Sequence, residues 1–132
     1  MCFSTLFIKE PRDWATITNA VKALTRNRAS DVRYVGDVEN LSDEKSIVDV
    51  VVMQLTGDAD YALEIYWKGM MELADDAVGM YLANALGAAV IISDDNPSPC
   101  TWLRLSPNGI IENIDLDIEK LDEHSIVTYK IA

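Results

Sequence analysis

The sequence predicts an α+β domain, two helices packed on a mainly antiparallel sheet in the order β-α-β-β-α-β-β-β-β. Three observations predict it. Apolar residues recur at spacings of three and four from Trp14 to Leu24 and again from Met70 to Leu86. Apolar runs and period-two alternations fill the segments around those helices. Turn signals at residues 56–60 and at Pro107–Asn108–Gly109 are short enough to join antiparallel neighbours. The 132 residues suit one domain, residues 1–132, with a single core.

Cys2 to Ile8 is rich in β-formers and reads as the first strand. Pro11 suits the first turn of a helix, where a missing N–H costs nothing. Trp14, Ile17, Val21 and Leu24 then form an apolar stripe, and Lys22, Arg26 and Arg28 cluster where cations complement the negative end of the helix dipole. Residues 30–45 are polar and mixed, with Gly36 and an Asn40 to Glu44 stretch that reads as a loop. Ser46 to Leu55, with the run Val50–Val51–Val52–Met53, reads as a strand buried on both faces. After the turn, Tyr61, Leu63, Ile65 and Trp67 alternate with Ala62, Glu64, Tyr66 and Lys68, which completes a hairpin.

Met70 to Leu86 reads as the second helix, with Leu73, Ala77, Val78, Tyr81 and Leu82 on its apolar stripe. Asp75 and Asp76 favour its positive end, and Gly87 supplies its stop. Ala88 to Ser93, Thr101 to Leu105, Ile110 to Ile118 and Ser125 to Ile131 read as the remaining strands, with a polar connection at Lys120 to His124.

Charge is divided unevenly along the chain. Residues 1–36 carry six basic residues against three acidic ones, net +3, whereas residues 37–132 carry nineteen acidic against five basic, net −14, which gives −11 overall. Such a field repels nucleic acid and anionic membrane and attracts cationic proteins or metal ions. With 49% hydrophobic and 25% charged residues the chain has the composition of a folded protein, not an acidic disordered one. The apolar stretch Met1 to Ile8 is too short for an export signal, and no stretch approaches a membrane span. Cys2 and Cys100 lack metal-ligand spacing and read as free thiols in a reducing cytoplasm.

Two groups of carboxylates stand out. Ile114–Asp115–Leu116–Asp117–Ile118–Glu119 alternates strictly, so an extended chain places Asp115, Asp117 and Glu119 on one face and the aliphatic residues on the other. That face is either solvated or an acidic stripe that docks a cationic partner; a hard cation is a third use, although a flat strand does not wrap an ion. Asp94–Asp95 closes a buried strand, as a turn cap or as an acidic tip. Tyr66 shares its face with Glu64 and Lys68, as an exposed aromatic that suits an interface centre. His124, in a polar loop, reads as a surface residue. No phosphate-cradling glycine loop and no nucleophile elbow is present, so the residues point to no catalytic centre and no cofactor.

The stretch Tyr81–Leu82–Ala83–Asn84–Ala85–Leu86–Gly87, followed by Ile91–Ile92–Ser93–Asp94–Asp95, Trp102–Leu103–Arg104–Leu105 and Asn108–Gly109, resembles small cytoplasmic immunity proteins of bacterial toxin systems, the group that includes contact-dependent growth inhibition. The resemblance extends to the size, acidity and class of the whole chain. It implies a non-enzymatic α+β domain that binds a cognate basic protein toxin, commonly a nuclease, and blocks it. On that reading Asp94, Asp95, Asp115, Asp117 and Glu119 steer the partner, Tyr66 anchors it, and no metal, cofactor, nucleic acid or membrane is involved. Two other readings stay open: a regulatory or adaptor domain that binds another protein or itself, and a small hydrolase using Asp94 and Asp95 with a divalent metal.

Overall fold

In the computed structural model residues 3–9, 14–71, 73–94 and 97–132 are described. Their elements are β1 (Phe3–Ile8), α1 (Trp14–Leu24), β2 (Asp31–Val35), a 3-10 turn (Val38–Asn40), β3 (Ile47–Gln54), β4 (Thr56–Gly57), β5 (Tyr61–Tyr66), α2 (Asp75–Leu86), β6 (Val90–Ser93), β7 (Thr101–Leu105), β8 (Ile111–Leu116), α3 (Ile118–His124), β9 (Ile126–Val127) and β10 (Tyr129–Ile131). Cys2, Pro11 and Asp95, each given a role above, lie outside the described residues.

Among the described residues the main sheet has eight strands in the order β10-β8-β7-β6-β1-β5-β3-β2. Its pairs are antiparallel except β2 with β3, and β4 pairs with β9 in a small parallel ribbon. The α+β class and the antiparallel character therefore stand, while the count and order of elements change. Asp31–Val35, within the polar stretch that the sequence reading leaves without an element, is an edge strand in which Val32 and Tyr34 face the helices. Lys120–His124, read as a polar connection, belongs to α3, and the predicted last strand is divided between β9 and β10.

The helices α1 and α2 cover one face of the sheet. Ile17, Ala20 and Val21 of α1 and Val78, Leu82 and Ala83 of α2 pack there on Leu6, Val50, Leu63, Ile65 and Ile92. The helical stripe of α1 is as the spacing predicts. The second helix begins at Asp75 instead of Met70, which leaves Leu73 before it and exposed, and its stripe is rotated: Val78, Gly79, Leu82 and Ala83 are buried, whereas Tyr81 is exposed. The reason is Gly79, whose missing side chain lets the helix settle on Leu105 and Ile92. Gly87 ends α2 in the left-handed region at φ 63°, its N–H donating to the Ala83 carbonyl.

Part of the opposite face carries a second cluster, in which Phe7, Ala62, Ile91, Ile114 and Leu116 meet Leu55, Ala59 and Val127, with Leu121 of α3 against them. The helices and the central strands are tied by a buried polar chain. Trp67 Nε1–H donates to Ser4 Oγ at 2.9 Å, and Ser4 in turn donates to Asp75 Oδ1 at 2.9 Å.

Candidate functional site

The antiparallel register sets which side chains gather at each end of the sheet. Leu6 pairs with Ile92 and Ile8 with Val90, so the start of β1 lies beside the end of β6. Ser93 pairs with Trp102, and Thr101 with Asp115, so the start of β7 and the end of β8 lie at that same end. Ser4 brings Asp75, in the first turn of α2, to it as well. This upper end therefore collects Asp75 and Asp76 of α2, Asp94 after β6, Asp115 of β8, and Asp117 and Glu119 at the start of α3.

The late carboxylates are not the single strand face that alternation predicts. β8 stops at Leu116, and Asp117 takes the N-cap of α3, its side chain accepting from the Lys120 N–H at 3.2 Å. Capping satisfies a helix-end donor that the extended chain would leave to water. Leu121, one turn into the helix, then packs against the second cluster. Asp115 and Asp117 still converge, because they line one concavity of about 420 Å³ with Leu116, Thr128, Tyr129 and Lys130. Glu119 is exposed one helical step away. Asp94 is half-buried two strands across at the same end.

Tyr66 does not belong to this group. It lies on β5, separated from β8 by β1, β6 and β7, and it is buried, with 7% of its surface exposed. The predicted face is correct, but Phe3 on the neighbouring strand stacks on its ring at a centroid distance of 5.1 Å. Its hydroxyl donates to Glu64 at 3.3 Å; burial, and then the Glu64 charge, push its pKa up. Lys68, predicted to share that face, does reach it from a left-handed backbone at φ 54°, but it is turned inward onto Asp49, the cross-strand partner of Tyr66.

There Lys68 meets Asp49, a fully buried carboxylate inside the apolar run of β3. Lys68 Nζ donates to Asp49 Oδ2 at 2.6 Å, to the Ser42 carbonyl at 2.7 Å and to the Glu44 carbonyl at 3.1 Å. Asp49 also accepts from the Ser42 N–H at 2.8 Å and from Arg33 Nε at 3.0 Å, and Arg33 donates further to the Asn40 carbonyl. Burial on its own would raise the Asp49 pKa. The bonds from Lys68, the Ser42 amide and Arg33 outweigh it and hold the carboxyl below its ordinary value. All three Lys68 donors are engaged, and through the Ser42 and Glu44 carbonyls this ammonium clamps the loop before β3 onto Asp49.

Among the described residues no group of three or more His, Cys, Asp or Glu is placed to hold a metal ion, and no helix is long and apolar enough to cross a membrane. His124 is exposed, with Glu123 3.9 Å away. What the upper end offers chemically is a fixed array of carboxylates on helix starts and strand ends, suited to meeting cations. Sequence reading assigned Asp75 and Asp76 only to the helix dipole; their place at this end depends on the pairing of β1 with β6. Comparison with protein-family models, with curated proteins and with solved structures returned no match.

Proposed function

We propose that this protein is a non-enzymatic immunity protein that neutralises a cognate cationic toxin, a nuclease, by presenting its upper acidic end to the toxin's substrate cleft. One observation carries the reading: Asp115 at a strand end and Asp117 at a helix start line one concavity, with Glu119 exposed beside them on the same helix start and Asp94 at the same end of the sheet. A nuclease cleft is built to receive phosphates, and carboxylates held on rigid elements imitate that charge. Complementary charge raises the encounter rate and fixes register. Asp95, which lies outside the described residues, is given the same steering role from the sequence alone.

Tyr66 is withdrawn as the anchor because Phe3 covers it, and Phe3, 46% exposed above it, takes that place for any contact on that face. A regulatory domain that self-associates is the second reading, favoured by β2, whose outer edge has no strand partner among the described residues.

The experiment starts from the immobilised full chain, which should retain a basic protein from its own host. Association of the purified partner should then slow by at least about tenfold as salt rises from about 50 to about 500 mM. The triple variant Asp115→Asn, Asp117→Asn, Glu119→Gln should associate at least about tenfold more slowly at low salt. An acidic partner, a salt-insensitive rate, or a triple variant as fast as the parent would overturn the proposal. Self-association would appear as a dimer in sedimentation that the same triple variant leaves intact.

A further inference from the structure

The basic minority of the chain has a place of its own. A cavity of about 430 Å³ lies between the end of α1 and the segment before α2, within the range of small-molecule sites, roughly 300–1,000 Å³. Leu24, Met70 and Met71 form its floor and pack against the main core, and Leu73, 48% exposed, forms an apolar side. Two methionines make such a floor adaptable in shape. Arg26 and Arg28 stand at its rim.

The helix end does not account for these arginines. The Val21 carbonyl accepts from the Thr25 N–H, the Lys22 carbonyl from the Asn27 N–H and the Thr25 hydroxyl, and the Ala23 carbonyl from the Arg26 N–H. The last turn of α1 is thus closed by its own backbone and by Thr25. Neither guanidinium enters an ion pair among the described residues. The chain reverses through left-handed conformations at Arg26 (φ 56°) and Asn27 (φ 61°), which for residues with a Cβ is a rare choice. That reversal is what sets both arginines beside the cavity.

We propose that this corner binds an aliphatic carboxylate, a small monoanion with an apolar tail. The guanidinium fork matches a carboxylate, and the floor accepts the tail. The rest of the protein selects the charge. A chain at −11 repels a polyanion far more than a monoanion, so the binding energy must come in good part from apolar contact. This inference is independent of the acidic end.

The test is calorimetric titration of the full chain with octanoate, octanol and inorganic phosphate, with amide chemical shifts followed by NMR. Octanoate should bind saturably and shift the Leu24 and Gly69 amides. Octanol should bind at least about tenfold more weakly, for want of the charge, and phosphate should bind weaker still, for want of a tail. Arg26→Gln with Arg28→Gln, both at exposed positions, should weaken octanoate at least about tenfold and leave octanol unchanged. The proposal is overturned if the double variant binds octanoate like the parent, if octanol or phosphate binds as well as octanoate, or if no saturable shift appears at Leu24 and Gly69.

Discussion

Asp49 carries a large penalty of burial and several compensations at once. An uncompensated charge in this position would unfold the edge of the sheet, and the compensations come from Lys68, Ser42 and Arg33, far apart in sequence. Removing Lys68 as Lys68→Met should therefore destabilise the protein by about 3–5 kcal/mol in urea unfolding. Arg33→Ala, whose side chain is 44% exposed, should cost about 1 kcal/mol or less. Equal losses would mean that the lysine is not the principal partner.

The sign of the pH dependence follows from the same contacts. Because the folded-state pKa lies below the ordinary 3.8, the contribution of Asp49 is complete above that value and is lost as the pH falls through the lower folded-state pKa. Urea midpoints measured downward from about pH 5 should fall steeply below 3.8 in the parent protein and less steeply in Asp49→Asn. Parallel curves would remove Asp49 from the account of acid unfolding. At this scale the sequence hides its own anomaly. An Asp between Val48 and Val50 is visible in the string, but its partner lies beyond two turns of chain and a left-handed Lys68.

At the scale of elements, α3 shows how two periodicities compete for one segment. Ile114, Leu116 and Ile118 fit a strand, while Ile118 and Leu121 with Asp117 before them fit a capped helix. The second cluster decides, since the helix can bury Leu121 against it. Asp117→Ala should cost about 1 kcal/mol by freeing the Lys120 N–H, whereas Asp117→Asn should keep most of that stability, which thermal unfolding distinguishes. The asparagine is for that reason the proper neutral variant in the association experiment. Alanine would confuse a lost charge with a frayed helix.

Gly79 makes a second element-scale test. In an exposed helix an alanine in place of glycine stabilises by about 1 kcal/mol, but here a Cβ would lie 2.7 Å from Leu105 Cδ1 and 3.0 Å from Ile92 Cγ2. Both neighbours are buried, so overpacking of about 1–3 kcal/mol outweighs the helical gain. Gly79→Ala should lower the melting temperature; a rise would show that Leu105 moves aside freely. The rotation of α2 around this glycine is also why Tyr81, on the predicted stripe, points outward, whereas Leu73 is exposed because it lies before the helix begins. Helical spacing names a stripe to within a residue, and the small residue that permits closest approach selects the face.

For the molecule as a whole, eleven uncompensated negative charges repel one another across the surface, and many of them share one end of the sheet. Salt screens that repulsion over roughly 10 Å at 0.1 M, while the buried Lys68–Asp49 pair is screened far less. The melting temperature should therefore rise as sodium chloride increases from about 10 to about 150 mM, and a fall would show that surface attraction dominates. The triple neutral variant should be less salt-sensitive in stability, just as in association. A carboxylate array held in place for a partner is costly to the free protein.

Composition, spacing and turn chemistry were enough to specify the α+β class, α1, the β3–β5 hairpin, the Gly87 stop and the strong acidity, because each is set by residues a few positions apart. The path of β2, the end of β8 at Asp117, the covering of Tyr66 by Phe3 and the Asp49–Lys68 clamp arise otherwise. They depend on which strands become neighbours. Sheet pairing joins residues tens of positions apart, and burial belongs to the whole assembly of strands and not to any one of them. So the amount of negative charge is a property of the chain, whereas its gathering at one end of the sheet is a property of the fold.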